Sequence, residues 1–295
     1  MQLQRASSTQ ALLDGADEAS SSASGAVPLH GGTEVVPLLR AGLLQADALV
    51  DIRGVVPCGI EVLDRLRPAD GGGTRIGAGA TLAELECDPQ VPAALREACR
   101  LAASPQLRNM GSVGGNLLQA TRCWYWRLKW PCRLHGGDEC FAHEGEHREH
   151  AIFANDFCAS AHPSDVAAAL LALDARLRTN RRELPVAELY RLPTEDDRRT
   201  TTLEPGELIL EIDVPEPESS VYLKAMERKR WAFPIVGVAA ARTGGVTRVA
   251  LAGVAPVPWL LEGGMDEATP LPRNAYKVEV GRALVKRALA ALDQG

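Results

Sequence analysis

The sequence predicts an α+β fold in two parts, a main domain over residues 1–215 and a small α+β domain over 221–295. Three observations predict it. Short apolar runs that read as strands alternate irregularly with short capped segments that read as helices. Glycine-rich turns join a strand to a helix at Gly31-Gly32-Thr33 and join two strands at Gly71-Gly72-Gly73. A polar run, Pro215 to Ser220 (PEPESS), has the composition of a linker.

In chain order, Ser7 to Asp17 reads as a short helix and Ser20 to Ser24 as a polar loop. Val27-Pro-Leu-His is a strand that meets Gly31-Gly32-Thr33, and Glu34 to Ala41 is helical. Ala48 to Ile52 is a strand. Ile60 to Leu66 and Thr74 to Gly79 form a hairpin around Pro-Ala-Asp-Gly-Gly-Gly. Thr81 with Glu84 three residues on is a capping box that opens a helix. Val91 to Ala103 is a helix ended by Ser104-Pro105. Ser164 caps a helix over Asp165 to Leu173, strands follow at Ala175–Arg178 and Leu208–Val214, and Glu183 to Tyr190 is a short element between them. Beyond the linker, Val221 to Met226 and Thr247 to Val254 are strands. Pro234 to Ala241 (PIVGVAAA) fits a buried helix or a buried strand. Ala275 to Leu292 is an amphipathic helix with Val278, Val280, Leu284, Val285, Ala288 and Leu292 on its apolar side.

The 295 residues are 46% hydrophobic and 24% charged, with a net charge of −6. That balance is ordinary for a globular protein and gives no basic field for nucleic acid. No apolar run approaches the roughly 20 residues of a membrane span, and the N-terminus carries no signal-peptide pattern. Seven cysteines, an odd number, point to reduced thiols and a cytoplasmic protein, or one exported on a partner's signal.

Two glycine elements read either as plain tight turns or as anion-binding loops. Glycines let backbone N–H groups approach an anion, and a helix that follows adds its positive end. Gly31-Gly32-Thr33 and Gly111-Ser-Val-Gly-Gly-Asn both have this character, and together they suit one pyrophosphate. Neither fits GxGxxG, so a Rossmann nicotinamide site is not supported.

From Arg122 to Asp165 the chain gathers four of seven cysteines, five of six histidines and three of five tryptophans. The spacing is Cys123-x8-Cys132-x7-Cys140-x17-Cys158, without the CxxC pairs usual in structural zinc sites. Spacing alone leaves three readings: a [4Fe–4S] cluster, zinc, or free thiols. Cys99 reads as a core residue, and Cys58 and Cys87 as inert. His143 and His147 would share a face only on a helix; Gly145 between them and the surrounding charge make the histidines read as surface residues, except that His162-Pro-Ser-Asp reads as a helix entrance. Trp124, Trp126 and Trp130 read as packing for the loop or as a partner contact.

The set HGGTEVVPLLRAG (30–42), SPQLRNMGSVGGNLLQATRC (104–123), HPSDVAAALLALDA (162–175), GELILEIDVP (206–215), YLKAMERKRWAFPIVGVAAA (222–241) and NAYKVEV (274–280) resembles the FAD-binding subunit of the molybdenum hydroxylases, the xanthine dehydrogenase and aldehyde oxidoreductase superfamily. The cysteine loop, about 122–160, resembles the subgroup that carries an extra [4Fe–4S] cluster, as in periplasmic aldehyde oxidoreductase and 4-hydroxybenzoyl-CoA reductase. The resemblance implies a vanillyl-alcohol-oxidase-type (PCMH-type) FAD domain of two α+β subdomains with a smaller C-terminal domain. Between Trp259 and Asn274 the chain is shorter than is usual in that family.

The resemblance also implies site residues. Pro28, Leu29, His30, Gly31, Gly32, Thr33 and Glu34 would cradle the pyrophosphate, with Gly111, Ser112, Gly114, Gly115 and Asn116. Gly79, Ala80 and Thr81 would line the FAD, with Asp165 by its ribose or adenine, Ile209 on its ring and Lys224 near the isoalloxazine. Cys123, Cys132, Cys140 and Cys158 would hold the cluster. Substrate oxidation would occur at molybdopterin on a large partner subunit, and electrons would arrive through [2Fe–2S] clusters of a small one and leave to an external acceptor. No catalytic acid or base is therefore expected in this chain. Two other functions compete: a self-sufficient FAD oxidase or reductase, and a non-enzymatic zinc-bound assembly protein.

Overall fold

A computed structural model describes residues 2–6, 8, 25–66 and 71–294 of the chain. The expected helix from Ser7 and the loop at Ser20–Ser24 lie outside the described residues, apart from Ser8. So does the Pro68–Asp70 part of the hairpin turn.

Three sheets organise the described residues. The first is parallel, with β3 (Ala48–Asp51) between β1 (Gln2–Arg5) and β2 (Ala26–Leu29). The second is antiparallel, in the order β4 (Ile60–Leu63), β5 (Gly73–Gly77), β8 (Ile209–Pro215), β6 (Arg176–Thr179), β7 (Glu183–Pro185). The third is the antiparallel series β12 (Trp259–Leu260), β11 (Val246–Ala252), β10 (Pro234–Thr243), β9 (Ser219–Met226).

The helices are α1 (Val35–Arg40), α2 (Leu82–Cys87), α3 (Ala93–Ala102), α4 (Pro105–Arg108), α5 (Val113–Leu117), α6 (Trp124–Arg127), α7 (Asp165–Ala172), α8 (Val186–Leu189) and α9 (Tyr276–Leu292). Thr81 and Glu84 form the capping box of α2, with both reciprocal bonds present. The Ser164 hydroxyl accepts from Ala167 N at 3.0 Å and opens α7. Past the end of α7 the chain turns at Asp174, whose φ of 56° is one a short polar side chain tolerates. Every residue of α7 is buried, because it lies between the second and third sheets.

Pro234 to Ala241 is strand, not helix. Val236, Val238 and Ala240 face α9, and Ala239 and Ala241 face α7. A strand covered on both faces has no polar alternation, which is why its sequence pattern was ambiguous. The linker is shorter than expected: only Glu216, Pro217 and Glu218 separate β8 from β9. Tyr222, Ala239, Ala241 and Ala250 of the third sheet belong to the same core as Ile76 and Ile212 of the second. The buried stripe of α9 also differs from the expected one. It runs Lys277, Gly281, Leu284, Ala288, Leu292, with Val278, Val280 and Val285 only flanking it. Among the described residues no helix is long and apolar enough to cross a membrane.

Candidate functional site

The two glycine loops meet. A Cβ on Gly31 would fall 1.6 Å from the Met110 carbonyl oxygen, immediately before Gly111. Only a glycine allows that approach. The backbone N–H groups of Gly31, Gly32, Thr33 and Glu34 find no acceptor among the described residues. Four adjacent free donors are costly unless an anion or water takes them. Ser112 fixes the second loop, its hydroxyl accepting from Gly115 N at 3.2 Å.

Both loops open onto a cavity of about 1170 Å³, larger than the roughly 300–1,000 Å³ of ordinary small-molecule clefts. Its walls mix apolar side chains such as Val50, Ile52, Val56 and Leu38 with the glycine loops. The buried Nδ1 of His30, which also lines it, has no partner among the described residues. Burial, followed by the nearby Arg53 charge, lowers the His30 pKa and favours the neutral ring. From the C-terminal sheet, the β9–β10 turn reaches over the cavity with Trp231, Ala232 and Phe233.

Pro28, His30, Gly31, Gly32, Thr33, Glu34, Gly111, Ser112, Gly114, Gly115, Asn116 and Ile209 line this cavity. Six expected residues are not among its lining. Leu29 pairs with Asp51 across β2 and β3. Ala80 and Thr81 stand behind the second glycine loop: Val113 N donates to Ala80 O at 2.8 Å, and Thr81 bridges Ser112. Gly79 instead packs beside Pro57, Cys58 and the His30 ring of the first loop. Asp165 and Lys224 form an ion pair of 2.8 Å inside the core, and Tyr222 donates to the other carboxylate oxygen. Lys224 Nζ also donates to Leu101 O at 2.9 Å. Burial pushes the Asp165 carboxyl above the usual range, against the pull of Lys224.

Glu34 does more than end the first loop. Its carboxylate accepts from Arg122 at 2.7 Å, Arg127 at 2.6 Å and Ala120 N at 3.2 Å. It thereby joins the first glycine loop to the base of the cysteine loop. Arg122 lies over the Phe233 ring, 4.8 Å from its centroid. A second cavity, of about 350 Å³, contains Cys123, His150 and His162 in its wall and shares Arg122, Ala232 and Phe233 with the first.

The cysteine loop is built of turns around a small core of Tyr125, Ala142 and Ala159. Tyr125 packs edge-on against Trp130, with ring centroids 5.3 Å apart, and Trp126 stacks on His135. The tryptophans thus pack the loop. Cys132 and Cys158 are buried, and Cys123 and Cys140 are half-buried. Ala159 N donates to the Cys140 sulfur at 3.5 Å, and Cys158 Sγ donates to the Ser160 hydroxyl at 3.3 Å. The neighbouring Cys158 pushes the Cys140 thiol down, and Cys140 together with burial pushes the Cys158 thiol up. Cys123 lies within electrostatic reach of Cys140 and Cys132, and burial pushes its thiol up to about 11.

Among the described residues no three His, Cys, Asp or Glu side chains are grouped as a single metal ion requires. Four thiolates around a cube of iron and sulfide stand wider apart than the ligands of one ion. Four thiols, with Ala159 N donating to the Cys140 sulfur, are a donor set that a cluster would use.

His147 and His150 correct the surface reading, since both are buried, while His143 is half-buried and bonded to Asn155 O, and His135 is exposed as expected. His162 is buried at the entrance of α7, two residues before the Ser164 cap. Residues 142–150 form turns, so the spacing of His143 and His147 is not a helical face. Cys99 is fully buried, as expected, and Cys58 and Cys87 are exposed. Sequence reasoning missed Lys277. It is wholly buried, and Nζ donates to Glu149 O, His150 O and Gly253 O at 3.0, 2.8 and 2.6 Å. The available signal was its register with Gly281, Leu284, Ala288 and Leu292.

Comparison with known proteins places the chain beside flavin-binding subunits. The family described as the FAD binding domain in molybdopterin dehydrogenase matches residues 1–217. The aldehyde oxidoreductase FAD-binding subunit PaoB of Escherichia coli (strain K12) is 34% identical over 297 residues, covering 91% of this chain and 90% of the relative. Among solved structures, carbon monoxide dehydrogenase from Hydrogenophaga pseudoflava matches with a TM-score of 0.68 at 23% identity, over 99% of this chain and 96% of that one. Quinoline 2-oxidoreductase from Pseudomonas putida 86 matches with a TM-score of 0.65 at 17% identity, over 100% and 97%. At these identities the solved structures show the shared fold.

Proposed function

This chain belongs to the family of FAD binding domains in molybdopterin dehydrogenases, and from that premise we propose that it is the electron-transfer flavoprotein subunit of a molybdenum hydroxylase complex. The observation that carries the reading is the convergence of the two glycine loops, with four free N–H groups, on one large cavity.

When bound, FAD supplies a centre that exchanges electrons in pairs or singly. The residues here would hold it. The N–H groups of Gly31, Gly32, Thr33 and Glu34 would receive the pyrophosphate, with the second loop against them. Ile209 and the apolar walls would cover the ring system, and Trp231 and Phe233 would limit water at its mouth. Leu29, Gly79, Ala80, Thr81, Asp165 and Lys224 would act from behind, by positioning these loops and packing the core.

Cys123, Cys132, Cys140 and Cys158 would hold a [4Fe–4S] cluster, which supplies one-electron transfer. The wall shared by the two cavities supports a short path between the two groups. The partners are a small subunit with [2Fe–2S] clusters and a large molybdopterin subunit. An aldehyde is the first substrate class to try on the assembled complex, given the PaoB relative. The proposed compartment is the cytoplasm, or beyond it if a partner supplies an export signal.

Cofactor analysis of anaerobically purified chain tests this: flavin released, iron, acid-labile sulfide and zinc. One FAD with about four iron and four sulfide is expected. No flavin in folded protein would sink the function. FAD with zinc in place of iron would sink the cluster alone.

A further inference from the structure

We propose that His150 donates a hydrogen bond to the cluster-ligating sulfur of Cys123, is aimed there by Lys277 and Asn274 of the C-terminal region, and so raises the reduction potential of that centre. The inference rests on the four-cysteine reading above. His150 Nε2 lies 3.2 Å from Cys123 Sγ. A ligating thiolate only accepts, so the ring proton belongs on Nε2. The other nitrogen agrees: Nδ1 is buried with no partner among the described residues and needs no proton. Trp124 holds the ring edge-on, with centroids 4.6 Å apart.

The backbone beneath the ring is clamped from another part of the fold. Lys277 Nζ and Asn274 Nδ2 both donate to His150 O, at 2.8 and 3.2 Å. Lys277 also takes Glu149 O, and Asn274 takes Ala151 O at 3.0 Å. A fully buried ammonium directed at three carbonyls is an expensive way to fix a turn. It is reasonable where the turn sets the direction of one N–H group.

Hydrogen bonds to thiolate sulfur draw off electron density and favour the more negative, reduced state. Reduction here takes up one electron, breaks no bond and leaves the proton on Nε2. Losing one donor of this kind should weaken reduction about tenfold, which is about 59 mV for a one-electron couple.

The test is an EPR-monitored redox titration of the full chain, with iron assayed in every sample. His150→Leu should titrate about tenfold lower than wild type, and His150→Gln, which keeps an N–H donor, should recover much of the loss. Asn274→Ala, which leaves the imidazole in place, should shift part of the way. Wild-type protein without iron would overturn this inference and the cluster reading together, leaving the flavin reading untouched. Iron present with an unchanged potential in His150→Leu would overturn this inference alone. If His150→Leu fails to load iron, pulsed EPR of reduced wild type with ¹⁵N-histidine decides: a histidine nitrogen coupling that disappears in His150→Gln supports the contact, and no coupling overturns it.

Discussion

The carbonyl oxygen of Met110 occupies the place where a side chain on Gly31 would begin, 1.6 Å from an ideal Cβ. The contact joins segments 79 residues apart in sequence and holds the two glycine loops together at the wall of the large cavity. Gly31→Ala should force the loops apart at a cost of about 1–3 kcal/mol. If that strain falls on the bound state, FAD binds roughly 5- to 150-fold more weakly. Gly54→Ala is the control, because nothing lies within 4 Å of its Cβ. Flavin per folded chain, measured with circular dichroism as the check on folding, reads the effect. Wild-type flavin content in Gly31→Ala would refute the cradle.

Glu34 couples the flavin cavity to the cysteine loop through Arg122 and Arg127. Glu34→Gln keeps the volume but removes the charge that both guanidiniums share. A hydrogen bond to a charged group contributes about 1.5–3 kcal/mol, so stability should fall by that order. Flavin and iron retention should decline together, because the carboxylate is common to both supports. Independent loss of one with full retention of the other would show that Glu34 does not link them.

Local chemistry was legible in the sequence wherever it was local. The capping box at Thr81, the Ser164 cap and the strand-to-glycine-to-helix turn at Gly31 are short-range and appear as read. Convergence of the glycine loops was also legible, since two anion-binding turns have a common purpose. What failed was long-range. His147 and His150 sit in a charged stretch that reads as surface, and distant segments, the α9 region and the ring of Trp124, pack over them. Lys277 interrupts an apolar stripe, and its three acceptors come from turns that no sequence period reveals. PIVGVAAA was ambiguous because cover on both faces erases alternation.

Asp165 and Lys224 provide a sharper test of where the sequence resemblance and the geometry part. Their ion pair is buried, with side chains 2% and 0% exposed. Lys224→Met removes the cation beside Asp165 and leaves the Tyr222 hydroxyl donating to it, and should cost about 3–5 kcal/mol. Asp165→Asn should also destabilise. The double variant should be more stable than the sum predicts by at least about 1 kcal/mol. Urea unfolding of the four proteins gives the coupling. Folded Lys224→Met should keep its flavin, because neither residue lines the cavity. An altered flavin spectrum with unchanged stability would return both residues to the cofactor.

His162 makes the fold sensitive to acid. It is buried against Tyr190, with ring centroids 5.0 Å apart, and burial lowers its pKa from 6.5 to about 3. In the unfolded chain the ring takes a proton near pH 6.5, whereas in the fold it stays neutral down to about 3. Its contribution is therefore complete above pH 6.5 and is lost progressively as pH falls towards 3. The slope approaches one proton, or about 1.4 kcal/mol per pH unit. His162→Phe keeps an aromatic ring on Tyr190 but cannot titrate. Between pH 6.5 and 5 wild type should lose about 2 kcal/mol relative to that variant. Denaturant unfolding at pH 7.5, 6.0 and 5.0 measures the difference. Equal slopes in the two proteins would mean that His162 is protonated in the folded chain, and that the fold tolerates a charge beside Tyr190.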